Sequence, residues 1–184
     1  MGWKLYLAIL GVPLVKVAGF GLVLLLAESS HHKHPVGASA EATLVSPDGR
    51  DMGIVTITQG PKGIVLAADV QGLAPGGHSM SINSVGTCAP DFAAAGENFN
   101  PHGGEHGFLQ GDGPHIGDLP NIYAADDGTA RADFFAVDIT LGSGEDHSLF
   151  DDDGTSIVIS EKPDSYVEGA DLGIRVACGV IRRN

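Results

Sequence analysis

The chain has 184 residues, enough for one domain and an appendage. Ten basic residues stand against 23 acidic ones, for a formal net charge of −13. Such a surface repels phosphate, which excludes a nucleic-acid binder and a domain held to anionic lipid headgroups. The acidity lies beyond the N-terminal segment: setting aside Lys4, Lys16, Lys33 and Glu28 leaves 7 basic and 22 acidic residues. It would also repel a small anion, although acidity that merely keeps a protein soluble looks the same in sequence.

Leu5 to Ala27 is almost wholly apolar. At ~1.5 Å per residue a helix of this length reaches about 35 Å, enough to span a bilayer with some tilt. Trp3 and Tyr6 stand where interfacial aromatics belong, and Lys4 favours a cytoplasmic N-terminus. We therefore expect residues 1–27 to be a retained transmembrane helix. The competing reading is a cleaved signal peptide ending at Ala27, but the run is long and Leu25 occupies a position that wants a small side chain. Pro13 favours a kink in the span. Lys16 lies near its middle, where a charge costs ~2.5–3.5 kcal/mol on insertion scales. Snorkelling relieves that cost, and so does a partner carboxylate or carbonyl, which would make Lys16 a docking residue within a membrane complex. Residues 28–39 then form a polar linker, whose His31, His32 and His34 offer a loose site for zinc or copper or simply a solvated tether.

From residue 40 the pattern is short strands and turns. Strands are expected at Glu41–Ser46, Gly53–Gln59, Ile64–Gln71, Gly77–Asn83, Asn121–Ala124, Ala130–Val137, Ser156–Ser160 and Gly173–Ile181. Pro47-Asp48-Gly49 and Pro61-Lys62-Gly63 mark turns, and Asp126-Asp127-Gly128 is a hairpin signal. Few helix signals and about eight short strands predict an all-β, antiparallel sandwich or barrel over 40–184. The acidic run Asp151, Asp152 and Asp153 reads as a solvated loop, with a contact patch for a basic partner as the alternative.

Between Gly76 and Pro120 the chain is rich in Gly and Pro and carries four of the eight histidines. A loop of this length in a compact domain is usually functional or disordered. It contains His106, His115 and Asp118, nitrogen and oxygen donors of the kind zinc prefers. No nucleophile elbow, P-loop, dinucleotide fingerprint or zinc-protease motif is present. His78 and Ser81 are near in sequence, which alone makes no triad.

The pieces GGHSMSIN, GTC, AGENFNP, HG, HIGDLPN and the ending GIRVACGVI occur in the order and spacing of one family. Through them, residues 40–184 resemble the copper/zinc superoxide dismutases, bacterial periplasmic branch. The resemblance implies an eight-stranded Greek-key β-barrel behind the transmembrane helix, a disulfide between Cys88 and Cys178, and a bacterial inner-membrane protein whose C-terminal domain faces the periplasm. It also implies zinc ligands at His106, His115 and Asp118, with Asp164 supporting them through hydrogen bonds. The positions matching the copper ligands are Ser81, Asn83, Asn98 and Ser160, and none is a histidine. Asn98 stands where the family shares one histidine between the two metals. Hydroxyls and amides are poor ligands for a cycling copper ion, so we expect no copper and no catalytic residue. Zinc is one reading of the loop, with Asn98, water, His102 or Glu97 as fourth ligand. A metal-free loop held by hydrogen bonds and the disulfide is the other. His78 and Arg175 match family residues that do not bind metal here, and we expect both to brace the loops.

The sequence therefore predicts a pseudoenzyme: an inactive, membrane-anchored accessory subunit of a periplasm-facing complex, respiratory or photosynthetic, engaged through its helix and acidic face. The alternatives are a zinc- or copper-binding periplasmic protein and, least favoured, residual dismutase activity.

Overall fold

The structure, a computed structural model, describes residues 36–111 and 113–184. The expected transmembrane helix, Lys16, most of the linker and the His31–His34 tract lie outside the described residues. Among those described, no helix is long and apolar enough to cross a membrane.

The fold is all-β. Strands β1 (Ser39–Val45), β2 (Asp51–Gly60) and β3 (Gly63–Val70) form consecutive antiparallel hairpins. They are followed by β4 (Gly76–His78), β5 (Met80–Asn83), β6 (Ile122–Ala124), β7 (Ala130–Val137), β8 (Ser156–Ser160), β9 (Arg175–Val180) and the short β10 (Arg182–Arg183). The main sheet runs β5-β8-β9-β1-β2-β3-β7, with β10 paired to β1, and β4 and β6 make a second, two-stranded sheet. All these strand pairs are antiparallel.

Strict alternation explains β3. Ile64, Leu66, Ala68 and Val70 are buried while Val65, Ala67 and Asp69 face out, the period-two pattern of a half-buried strand. In β2 the alternation slips by one near Gly53, where the register against β1 also shifts. Gly53 has φ +107°, and a Cβ there would lie 2.1 Å from the Asp69 carbonyl oxygen. Only glycine fits this bulge. The inward residues, including Leu44, Ile57, Leu66, Ile82 and Ile159, form one continuous core.

Two expectations need correction. The strand expected at Gly77–Asn83 is broken at Ser79. Its first part pairs with β6 and its second with β8, because the Ser79 N–H donates to Lys162 O (2.8 Å) while Ser79 O accepts from Ser160 N–H (3.0 Å). The turn at Asp126–Gly128 does form, with Ala125 N–H on Thr129 O at 2.8 Å. Its flanking strands do not pair with each other, however: β6 goes to β4 and β7 to β3. Turn chemistry set the reversal, and burial chose the partners.

The long loop is tied back along the free edge of β5. Phe99 N–H donates to Ile82 O at 2.8 Å, Ile82 N–H to Gly117 O at 2.9 Å, and Gly117 N–H to Phe99 O at 2.9 Å. Phe99 and Leu119 are buried in the core and anchor the loop from below. A disulfide between Cys88 and Cys178 joins the loop to β9, as the resemblance implied. Arg175 completes the attachment by donating to the carbonyls of Phe92 (2.6 Å) and Gly96 (2.7 Å). His78 has the bracing role expected of it. Its two ring nitrogens lie 2.9 Å from Ser160 O and 2.8 Å from Ala74 O.

Candidate metal centre

Asp118 is the hub of the loop. Its Oδ2 accepts from the main-chain N–H of Gly107 (2.8 Å) and of His115 (3.1 Å). This fixes the carboxylate plane and leaves Oδ1 facing inward. Around Oδ1 converge Asn98 Nδ2 at 2.6 Å, His106 Nδ1 at 3.2 Å and His115 Nδ1 at 3.5 Å. The two imidazole centroids are 5.7 Å apart. His106, His115 and Asp118 each offer one ligand atom within 4.8 Å of the others.

On its far side His106 Nε2 lies 2.9 Å from Asp164 Oδ2. The distance suits an N–H to carboxylate bond, but the angle is poor, and Nε2 has no aligned hydrogen bond. His115 Nδ1 is also buried without a hydrogen-bond partner. Asp164 itself is held firmly. Its Oδ1 accepts from Tyr166 N–H (2.8 Å), and its main chain exchanges two 2.8 Å bonds with the Asn121 side chain. The Tyr166 hydroxyl in turn accepts from Asn121 N–H at 2.9 Å.

These contacts pass the test for a cation. His106 Nδ1 is aligned for a hydrogen bond to Asp118 Oδ1 when it carries the ring proton, a place that a cation can take instead, whereas His115 Nδ1 meets the same oxygen with no aligned hydrogen bond. Two lone pairs at this range repel unless a proton or a metal lies between them. Zinc with bonds of ~2.0–2.2 Å in a tetrahedron holds its ligand atoms roughly 3.3–3.6 Å apart. The 3.2 and 3.5 Å separations at Oδ1 are close to that edge length. Asn98 is the candidate fourth ligand. A half-turn of its amide exchanges nitrogen for oxygen, but the side chain stands 2.6 Å from Oδ1 and must draw back to share an ion with it.

The copper positions fail the same test. Ser81 Oγ donates to Asn83 Oδ1 at 2.8 Å, and Asn83 Nδ2 donates to Gly96 O at 2.9 Å. The two side chains satisfy each other and the loop main chain, with no imidazole among them. Asn98 is drawn to Asp118 instead. Ser160 enters only through its main chain, where its N–H bonds Ser79 and its carbonyl faces His78.

Other expectations are redistributed. His102 and Glu97 do not join the cluster as fourth ligands. The His102 ring lies instead near that of His147. The sequence reading missed Asn121, Tyr166 and Glu168, whose Oε2 accepts from His106 N–H at 3.3 Å. Tyr166 has φ +64°, which is uncommon for an aromatic residue. Nothing in a single sequence announces that conformation.

Fold and site together define a dismutase-type β-domain with a His106, His115 and Asp118 cluster of metal-ligand type. The pattern of the family described as copper/zinc superoxide dismutase (SODC) matches residues 52–181, and the chain belongs to that family. A Cu-Zn superoxide dismutase of Caulobacter vibrioides is 42% identical over 151 residues, covering 78% of this chain and 86% of its own. The superoxide dismutase-like protein YojM of Bacillus subtilis is 34% identical over 146 residues, covering 77% of this chain and 74% of its own. Among solved structures, a SOD-like protein from Bacillus subtilis superimposes with TM-score 0.72 at 33% identity, covering 76% of this chain and 96% of that one. The Cu/Zn superoxide dismutase of Brucella abortus gives TM-score 0.64 at 27% identity, covering 78% and 99%.

Proposed function

We propose that this chain is a family member without dismutase activity, whose loop holds one redox-inert divalent cation, zinc, as a structural clamp. The observation that carries this reading is the asymmetry of the site. At the copper positions Ser81 and Asn83 are hydrogen-bonded to each other and to the loop, whereas at the zinc positions His115 Nδ1 is buried without a hydrogen-bond partner 3.5 Å from the fixed Asp118 carboxylate. Zinc there supplies charge neutralisation and a cross-link. The side chains do the positioning: Asp164 orients His106, and the Gly107 and His115 amides orient Asp118. Bound zinc stabilises the folded loop by mass action and adds no redox chemistry.

The domain's work would then lie in what it joins. In this reading Leu5–Ala27 seats the protein in the inner membrane and the domain faces the periplasm as an accessory subunit of a membrane complex, with Lys16 docking within the bilayer. Support comes from the length of the apolar run and the cost of its central lysine.

The test has two parts. Full-length protein extracted in detergent is analysed for metal and assayed for superoxide dismutation after copper loading. One zinc per chain, lost on His106→Ala, with no activity above free copper, is the expected result. Copper-dependent turnover would overturn it. Native membranes solubilised gently should release the chain in a larger assembly, and migration only as a free monomer would remove the accessory role.

A further inference from the structure

A second pair of histidines meets outside the loop site. His102 and His147 come from different loops, and their ring centroids lie 6.2 Å apart, with the planes inclined by 57°. We propose that they form a surface site for a transition-metal dication, zinc or copper(II), that clips the two loops together. Imidazole nitrogen suits both ions. A metal ~2.0–2.1 Å from one nitrogen of each ring would hold the ring centres roughly 5–6 Å apart, depending on the angle at the metal. The observed 6.2 Å lies just beyond that span, so binding draws the rings slightly together. His102 is exposed and free to adjust its rotamer, while His147 is half-buried.

Both imidazoles stand on braced main chain. His102 sits inside a turn closed by the Asn100 side chain, whose Nδ2 donates to Gly104 O and whose Oδ1 accepts from Gly104 N–H, both at 2.9 Å. The His147 carbonyl accepts from Thr140 N–H at 3.1 Å, and the next two residues, Ser148 and Leu149, are fully buried. Metal binding therefore needs side-chain movement and little ordering of backbone, which keeps its entropic cost low. Glu105 follows His102 at three residues, and Glu145 and Asp146 precede His147. The acidic surface raises the local concentration of cations. Two protein ligands leave the remaining positions to water, so the site binds more weakly than the loop centre and exchanges readily. It shares no residue with His106, His115 or Asp118 and stands independently of the proposed function.

The experiment is zinc titration by calorimetry on the full chain in detergent, in a background where His31, His32 and His34 are alanine. The parent should bind two zinc ions, one tightly and one weakly. His102→Ala and His147→Ala should each weaken the second event at least tenfold and leave the first unchanged. His106→Ala should abolish the first and leave the second. Melting curves of the metal-free variants should match the parent, showing that the folds are intact. A second event unchanged in both variants, or lost in one and not the other, would overturn the pairing.

Discussion

At the scale of single residues, Asn98 offers a test of the proposed zinc clamp. Its amide is committed to Asp118 Oδ1 at 2.6 Å. Asn98→His places a third imidazole against the same point. We expect zinc affinity to rise at least tenfold, about 1.4 kcal/mol, measured by competition with a chromophoric chelator. On the proposed reading the variant should show no dismutation, because Ser81, Asn83 and Ser160 are untouched. Unchanged affinity would mean that Asn98 does not face the ion. The donors of this site were legible in the sequence because ligand chemistry is written in residue type: two histidines and an aspartate at close spacing. Their support was not. Asn121 and Tyr166 act through main-chain bonds and a left-handed backbone conformation, neither of which has a signature in residue identity. The pairing of His102 with His147, 45 positions apart, depends on how two loops lie on the folded domain.

At the scale of elements, the described residues of the loop 84–121 form no regular element beyond the short 3₁₀ turn Phe92–Ala95. Its order comes from attachments at three places: the hydrogen bonds gathered on Asp118, the backbone bonds along β5, and the Cys88–Cys178 bridge to β9. The bridge closes a separation of 90 residues. On the chain-entropy model a closure of that length contributes about 4.5 kcal/mol, drawn from the unfolded state. Replacing both cysteines by alanine should lower the melting temperature by roughly 9–18 °C, taking about 2–4 °C per kcal/mol for a domain of this size. The check is differential scanning calorimetry on oxidised wild type and the double variant. A loss under about 1 kcal/mol would show that Arg175, through Phe92 and Gly96, and the packing of Ala95 and Val158 suffice to hold the loop. The strands β2, β3, β7, β8 and β9 were legible because β-branched runs and alternation between turns carry the signal. The break at Ser79 and the short β10 were not. Each is set by a neighbour distant in sequence, Lys162 and Ser160 for the first and Ala40 and Glu41 for the second.

At the scale of the whole molecule, charge opposes compactness. The chain carries −13, and among the described residues the Lys and Arg ion pairs are Arg50–Asp48, Arg131–Asp69 and Lys162–Asp171, all solvent-exposed. Salt acts on two terms of opposite sign. It screens those pairs, which lowers stability, and it screens the repulsion among the other carboxylates, which raises it. With 23 acidic residues against 10 basic ones the second term wins. The melting temperature of metal-free protein should therefore rise by a few degrees when salt is raised from ~0.01 to ~0.15 M, as the Debye length falls from ~30 to ~8 Å. Protons relieve the same repulsion, so stability should increase as the pH is lowered from 7 toward the pI of about 4.7. The gain ends where favourable carboxylates begin to protonate. Hydrogen bonds from Ser46 to Asp48, from Thr129 to Asp127 and from Lys162 to Asp171 hold these three below the ordinary aspartate value of 3.8. A depressed carboxylate contributes stability that is present above its unfolded pKa and lost as pH falls through the folded one. That loss is therefore confined to pH below about 4. Arg131 and Lys162 are raised, by Asp69 and Asp171 respectively, and contribute throughout the neutral range. Their share disappears only at strongly alkaline pH, as their folded values are passed. The stability maximum should accordingly lie on the acid side of neutrality and flatten in high salt. A maximum above pH 7, or a melting temperature that falls with added salt, would show that the surface pairs outweigh the repulsion.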